Sequence, residues 1–304
     1  METKTLIKKI RVIGDVHGRT NWWDLVNPFD EEILYIFLGD YTDPYYTLEY
    51  VDFDQMIEQI EKMFDFKREH PDNVLILVGN HDLQYILHYG ETNRYDYDPT
   101  HRERLFAVFE DNQDLIYGVA YNIGDKYLIS HAGVTLDWFM KYCATEEKEA
   151  LKMDISEIAE KVNKVWEENK KAFTFMANAK MSDYCGISST QSPLWVRPST
   201  LWYHNVFGTD SGKIQIVGHT AFDSSDYGTS VETDDRIATV GTIQVEKEAD
   251  WDSGIREAPN DSEHIDIIMA DCLRRETACV DIDVETMEWS KFYIEDVKSR
   301  INWN

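Results

Sequence analysis

Short apolar runs that stop abruptly on glycine and a cluster of polar side chains recur along this chain. Leu75-Ile76-Leu77-Val78 runs into Gly79-Asn80-His81-Asp82, Ile10 to Ile13 into Gly14-Asp15-Val16-His17-Gly18, and Ile33 to Leu38 into Gly39-Asp40-Tyr41-Thr42-Asp43. Tyr127 to Ile129 leads likewise into Ser130-His131-Ala132-Gly133, and Ile214 to Val217 into Gly218-His219-Thr220. Runs this short and mostly apolar, closed by turn residues, predict strands covered on both faces.

Between the runs the period changes. Met56, Ile57, Ile60, Met63 and Phe64 recur at spacings of three and four, which predicts a helix over Asp54 to Arg68 that Pro71 stops. Asn21 to Val26 can begin a helix and Arg102 to Glu110 reads as a short one, while the polar, tyrosine-rich Tyr85 to Thr100 reads as a loop or lid. Alternating strands and helices imply parallel pairing with right-handed crossovers. Tyr117 to Asn122 and Tyr127 to Ser130 flank turn chemistry and predict a hairpin.

The middle third carries helical periodicity in Leu136 to Cys143 and Ile155 to Met176, with Ile155, Ile158, Ala159, Val162, Val165 and Trp166 on one stripe. It reads as a helical cap inserted over about 135–180. Past His219 the chain turns β-like at Ile237 to Val245, Ile265 to Ala270, Ala278 to Ile282 and Trp289 to Ile294, which suggests a second, mainly antiparallel sheet. Because the polar strand ends are spread from residue 14 to 220, the expectation is one α/β domain over residues 1–304.

Charge narrows the partners. With 57 acidic against 30 basic residues the formal net charge is −27, so nucleic acids and anionic membrane surfaces are disfavoured by long-range repulsion. Cys143, Cys185, Cys272 and Cys279 show no CxxC spacing and are too sparse for a disulfide framework, which suits a reduced, cytoplasmic setting. No stretch reads as a signal peptide or a membrane span.

Each polar strand end is a weak signal alone; the sum is not. Asp15, His17, Asp40, Asn80, His131 and His219 supply six oxygen or nitrogen donors just beyond strands, where sites form in parallel sheets. That is too many for one tetrahedral zinc and suits two divalent ions sharing a carboxylate. Asp15 and His17 would grip one ion, Asp40 would bridge, and Asn80, His131 and His219 would complete the second, a metal pair suited to phosphoryl hydrolysis. His81, beside a ligand, is placed to protonate a leaving alkoxide, with Asp43 or Asp82 available to keep it charged.

The ordered set Gly-Asp-Val-His-Gly, Gly-Asp-x-x-Asp, Gly-Asn-His-Asp, His-Ala-Gly and Gly-His-Thr resembles the calcineurin-like metallophosphoesterase superfamily across residues 14 to 220. It looks most like the branch holding serine/threonine protein phosphatases and symmetrical dinucleoside tetraphosphatases. The resemblance implies a four-layer α/β/β/α sandwich of two mixed sheets and a dinuclear manganese, iron or zinc centre. It implies the same ligands as above, attack by a hydroxide shared between the metals, and His81 as general acid.

Two departures stand out. Protein phosphatases follow the second motif with Arg-Gly, whereas Pro44 and Tyr45 follow Asp43 here, so the phosphate-gripping arginine must come from elsewhere or be missing. Arg197, in Ser192-Pro193-Leu194-Trp195-Val196-Arg197, is the candidate, because the resembled phosphatases carry a Leu-Trp stretch at a similar place and a guanidinium binds phosphate bidentately; the alternative is a surface arginine packing on Trp195. Ala221 stands where many nucleases of the superfamily have another histidine. The expectation is therefore a manganese-dependent phosphatase acting on a phosphoprotein or a small phosphorylated molecule. Its competitors are a dinucleoside polyphosphate hydrolase and a non-catalytic interaction module on the same fold.

Overall fold

A computed structural model describes residues 6–44, 51–88, 99–179, 183, 186–208, 211–220, 241–242, 267–270, 273 and 277–294. The chain divides into two units, Met1–Gly118 with Ala270–Asn304, and Val119–Met269. Among the described residues, no helix is long and apolar enough to cross a membrane.

The first unit is built on a six-stranded sheet. Strands β1 (Lys9–Ile13), β2 (Ile33–Phe37), β3 (Val74–Leu77) and β4 (Ile116–Gly118) run parallel, as the alternation predicts. Their crossovers carry a 3-10 turn over Asn21–Leu25, helix α1 (Phe53–Glu69), helix α2 (Asn80–Ile86) and helix α3 (Pro99–Asp111). Alternate residues Ile33, Tyr35 and Phe37 join the core formed with Met56, Ile57, Ile60, Met63 and Phe64 of α1, and Leu34 and Ile36 are equally buried. Each such side chain stabilises by roughly 1.5–3 kcal/mol through apolar burial. Asp52 caps α1 by accepting the Gln55 N–H at 2.7 Å.

The hairpin expected at Tyr117 to Ser130 exists, but its first arm is divided. Ile116–Gly118 belongs to the first sheet, and after Gly118, at φ +147, the chain enters the second sheet as β5 (Ala120–Ile123), antiparallel to β6 (Tyr127–Ser130).

The second unit's sheet has the order β5-β6-β7-β9-β8, with β7 (Ile214–Val217), β8 (Gly241–Thr242) and β9 (Ile267–Met269). Strands β6, β7 and β9 are mutually parallel. The β6 to β7 crossover holds α4 (Leu136–Tyr142), α5 (Glu147–Ala150), α6 (Ile155–Glu168), α7 (Phe175–Asn178) and α8 (Pro198–Tyr203). The buried stripe of α6 is the one its periodicity predicts. Asn163 on this helix binds Val119 N and Ala120 N at 3.0 and 3.1 Å and donates to Ala120 O at 2.7 Å, closing the rim of β5.

The C-terminal strands correct the expectation of a separate antiparallel sheet. Strand β9 adds in parallel to β7, while β10 (Ala278–Asp283) and β11 (Trp289–Tyr293) extend the first sheet, with β10 antiparallel to β1. A side-chain lock explains the choice. Arg11 on β1 donates Nε and Nη2 to the two carboxylate oxygens of Asp281, both at 2.7 Å, and its guanidinium lies 3.9 Å over Phe292. Most of the expected strand Ile237 to Val245 lies outside the described residues.

Candidate metal centre

The loops after β1 and β2 are bonded to each other before any side chain is considered. His17 N donates to Asp40 O at 2.7 Å and Gly18 N to Tyr41 O at 3.0 Å. The loop after β2 is fixed against α2 by close contact: a Cβ on Gly39 would lie 2.2 Å from Gly79 N, and one on Gly79 would lie 2.1 Å from Asp40 N. Only glycine at both positions permits this approach.

Asn80, His81 and Asp82 do not sit on an extended strand end. They form the first turn of α2, so the expected loop from Tyr85 begins as helix; residues 89–98 lie outside the described residues. The Asp82 carboxylate accepts from Gly79 N at 3.0 Å, Asp40 N at 2.8 Å and Tyr41 N at 2.9 Å. It is buried and ties the helix start to the loop that carries Asp40.

Asp15, His17 and Asp40 each offer a donor atom, all within 4.8 Å of one another, and all three are buried. His17 Nδ1 bonds Thr42 O at 2.7 Å, which makes it the protonated nitrogen and turns Nε2 toward Asp40 Oδ2, 3.7 Å away. Burial, only partly opposed by Asp40, pushes the His17 imidazole down to about 3, so it is neutral, the form that binds metals. Two buried carboxylates and a neutral imidazole are costly without a cation. This donor set fits a hard to borderline divalent ion.

His81 has a different environment. Its Nδ1 lies 3.0 Å from Asp43 Oδ2, and its backbone N–H donates to Asp40 Oδ1 at 2.9 Å. Burial alone would lower its pKa, but Asp40, the Asp43 hydrogen bond and Asp82 outweigh that and raise it to about 9. Of the two acids available from the sequence, Asp43 holds the ring, while Asp82 is spent on backbone N–H groups. Gln84 Nε2 and the Tyr85 hydroxyl also donate to Asp43, both at 2.7 Å. Neither residue stands out in the sequence: the expected loop starts at Tyr85, and Gln84 falls between that loop and the strand-end motif, so their spacing of three and four from His81 shows only once α2 is seen as a helix.

In the second unit, His131 follows β6 and His219 follows β7, with ring centroids 5.1 Å apart and both side chains buried. Gly218 N donates to His131 O at 2.7 Å, and His219 Nε2 lies 3.2 Å from Trp195 O. Arg197 donates from Nη1 to His219 O at 3.2 Å and to Thr220 Oγ1 at 3.0 Å, so it lies beside His219. The strap carrying Trp195 and Arg197 is held at both ends. Ala132 N donates to Pro193 O at 2.7 Å, and Arg197 N donates to Gly186 O at 3.0 Å. Buried Asp183 accepts from Gly186 N, Ile187 N and Ser188 N at 2.7, 3.0 and 3.1 Å. An aspartate three residues before a glycine was the available signal for this turn.

Left-handed backbone marks these positions. His17, Asp40, Asp43 and His219 have φ of 47, 54, 56 and 62, which side chains with a Cβ adopt only at a cost. Tyr41 is buried and packs its loop, donating its hydroxyl to Leu77 O at 2.7 Å; Tyr45 and Tyr46 lie outside the described residues.

The family model for the calcineurin-like phosphoesterase domain matches residues 8–222. Among curated proteins, the serine/threonine-protein phosphatase PP1-delta of Caenorhabditis elegans is 36% identical over 137 residues, 41% of this chain and 39% of that protein. The match thus spans about two fifths of that relative's length. A solved protein serine/threonine phosphatase from Saccharomyces cerevisiae, described as similar to human phosphatase PP5, is 19% identical with a TM-score of 0.39, covering 71% of this chain and 62% of that one. A metallophosphoesterase from Sphaerobacter thermophilus is 13% identical with a TM-score of 0.37, over 97% of this chain and 92% of the other. With that family model running through most of its length, the chain belongs to the calcineurin-like phosphoesterase family.

Proposed function

We propose that this chain is a dinuclear metal-dependent phosphatase that hydrolyses phosphate monoesters. The observation that carries the reading is the buried Asp15, His17 and Asp40 donor group beside the His81 and Asp43 pair. Asp15, His17 and Asp40 would hold one ion; Asp40, Asn80, His131 and His219 would hold the other, manganese first and iron or zinc as alternatives. The order of the motifs and the burial of all six side chains support that second set. The ions, when bound, would acidify a water for attack and neutralise charge on the phosphoryl group.

The protein's own groups do the rest. His81 carries the proton for the leaving oxygen, and Asp43 orients it and, with Asp40, favours its charged form. Arg197 would grip a phosphoryl oxygen pair in place of the arginine absent after Asp43. A phosphoprotein or a small phosphorylated molecule is the substrate class, supported by the protein phosphatase among the relatives.

Purified protein loaded with Mn²⁺ is to be assayed on an aryl phosphate, a phosphoserine peptide and diadenosine tetraphosphate. Monoester turnover that collapses in Asp15→Asn supports the reading. Turnover of the anhydride alone replaces it with a dinucleoside polyphosphate hydrolase, and absence of both metal binding and turnover leaves an interaction module.

A further inference from the structure

Helix α2 presents His81, Gln84 and Tyr85 at spacings that share one face, and all three meet the same carboxylate. Asp43 Oδ2 accepts from His81 Nδ1 and from Gln84 Nε2, and Oδ1 accepts from the Tyr85 hydroxyl. Asp43 is buried on a left-handed backbone, and the Tyr85 ring is buried against Phe106 and Phe109 of α3, both with centroids at 6.1 Å. An aspartate with only one of these contacts could turn about its side-chain bonds. With donors on both oxygens from one rigid helix face, it has one orientation.

We propose that Tyr85 and Gln84 are positioning residues that lock Asp43 in the orientation holding the His81 ring for proton delivery to the leaving group. The inference rests on the reading of His81 as general acid. Tyr85 and Gln84 act through Asp43, the carboxylate to which both donate. Their effect is therefore confined to substrates whose leaving oxygen needs a proton. An alkoxide or phenoxide needs one, and a dinitrophenolate does not.

Mn²⁺-loaded wild type, Tyr85→Phe, Gln84→Leu and His81→Asn are to be compared on phenyl phosphate and 2,4-dinitrophenyl phosphate. Tyr85→Phe is expected to lose about fivefold or more in kcat on the phenyl ester relative to the dinitrophenyl ester, with KM held within about twofold, a part of the roughly 10²–10⁴-fold that a positioned acid contributes. Gln84→Leu is expected to show a smaller loss of the same kind. In proton NMR of the chelator-treated protein, the His81 Nδ1 proton is expected to broaden through exchange in both variants. Equal losses on both esters in the Tyr85 and Gln84 variants, while His81→Asn remains leaving-group dependent, overturn this inference alone. Equal losses in His81→Asn overturn the general-acid reading and this inference with it. An unbroadened Nδ1 proton in both variants overturns the inference whatever the esters show. Should Tyr85→Phe fail to fold, Gln84→Leu, at a half-buried position, carries the same comparison.

Discussion

Gly39 and Gly79 meet backbone to backbone: a Cβ on the first would lie 2.2 Å from the amide nitrogen of the second. The obstructing atoms are main chain, so a methyl group cannot be accommodated by a rotamer change. Gly39→Ala, at φ +115, and Gly79→Ala are each expected to destabilise by roughly 3 kcal/mol or more, at the upper end of single substitutions. Urea unfolding of the two variants measures this. A loss under about 1 kcal/mol in both would show that the two loops can separate at little cost.

Asp82 belongs to the same junction. Asp82→Ala leaves the N–H groups of Gly79, Asp40 and Tyr41 without their acceptor in a buried setting, at about 1–3 kcal/mol for each unsatisfied group. Metal affinity is expected to fall roughly 10–100-fold, the usual effect of removing a group that orients a ligand. Calorimetric titration with Mn²⁺ reads the second effect separately from stability.

The two histidines of the first unit set opposite limbs of a stability profile in chelator-treated protein. His81 is raised to about 9, so its contribution is complete below its ordinary value near 6.5 and is lost as pH climbs through 9. His17 is lowered to about 3, so its contribution is present above 6.5 and is lost as pH falls toward 3. Each contribution is on the order of 3–5 kcal/mol. Unfolding free energies from pH 4 to about 9.5 should fall on both sides; His81→Asn flattens the alkaline fall and His17→Asn the acid one. An alkaline fall unchanged in His81→Asn would assign it to another group.

Metal loading separates the two proposed ion sites. Asp15→Asn removes a donor from the Asp15, His17 and Asp40 group and is expected to reduce Mn²⁺ stoichiometry from two toward one and turnover by about 10²-fold or more. Chelation of wild type should lower Tm, because an ion at about 100 times its Kd stabilises by about 2.7 kcal/mol. Stoichiometry measured by elemental analysis that is the same in wild type and variant contradicts the assignment.

Arg197→Ala is expected to raise KM for a monoester about tenfold while lowering stability only modestly. Its bonds to His219 O and Thr220 Oγ1 are a neutral-acceptor pair, whereas a phosphoryl group would engage the guanidinium by charge. A fall in Tm with KM unchanged would make the residue a structural strap.

The strand ends were legible because an apolar run closed by glycine and a donor is a local signal, and Asp15, His17 and Asp40 converge as those signals imply. The start of α2 was not. Its N-cap, Gly79, has no side chain to announce a cap, and the group that caps it, Asp82, reads equally well as chemistry. The choice between Asp43 and Asp82 as partner of His81 depended on the left-handed turn at Asp43, which residue type alone does not specify. Sheet membership of the last strands was beyond reach for another reason: Lys9 pairs with Asp283 and Arg11 with Asp281, contacts that no window along the chain contains.

That last pairing has a consequence for how the protein fails. Strand β10 covers the flank of β1, the strand from which Asp15 and His17 emerge. Detaching β10 and β11 would bare a row of unpaired amides on β1 and strip the Arg11 guanidinium of both its carboxylate, Asp281, and its aromatic cover, Phe292. Damage there should show itself first as self-association of the chain through β1, before any unfolding of the helices behind it.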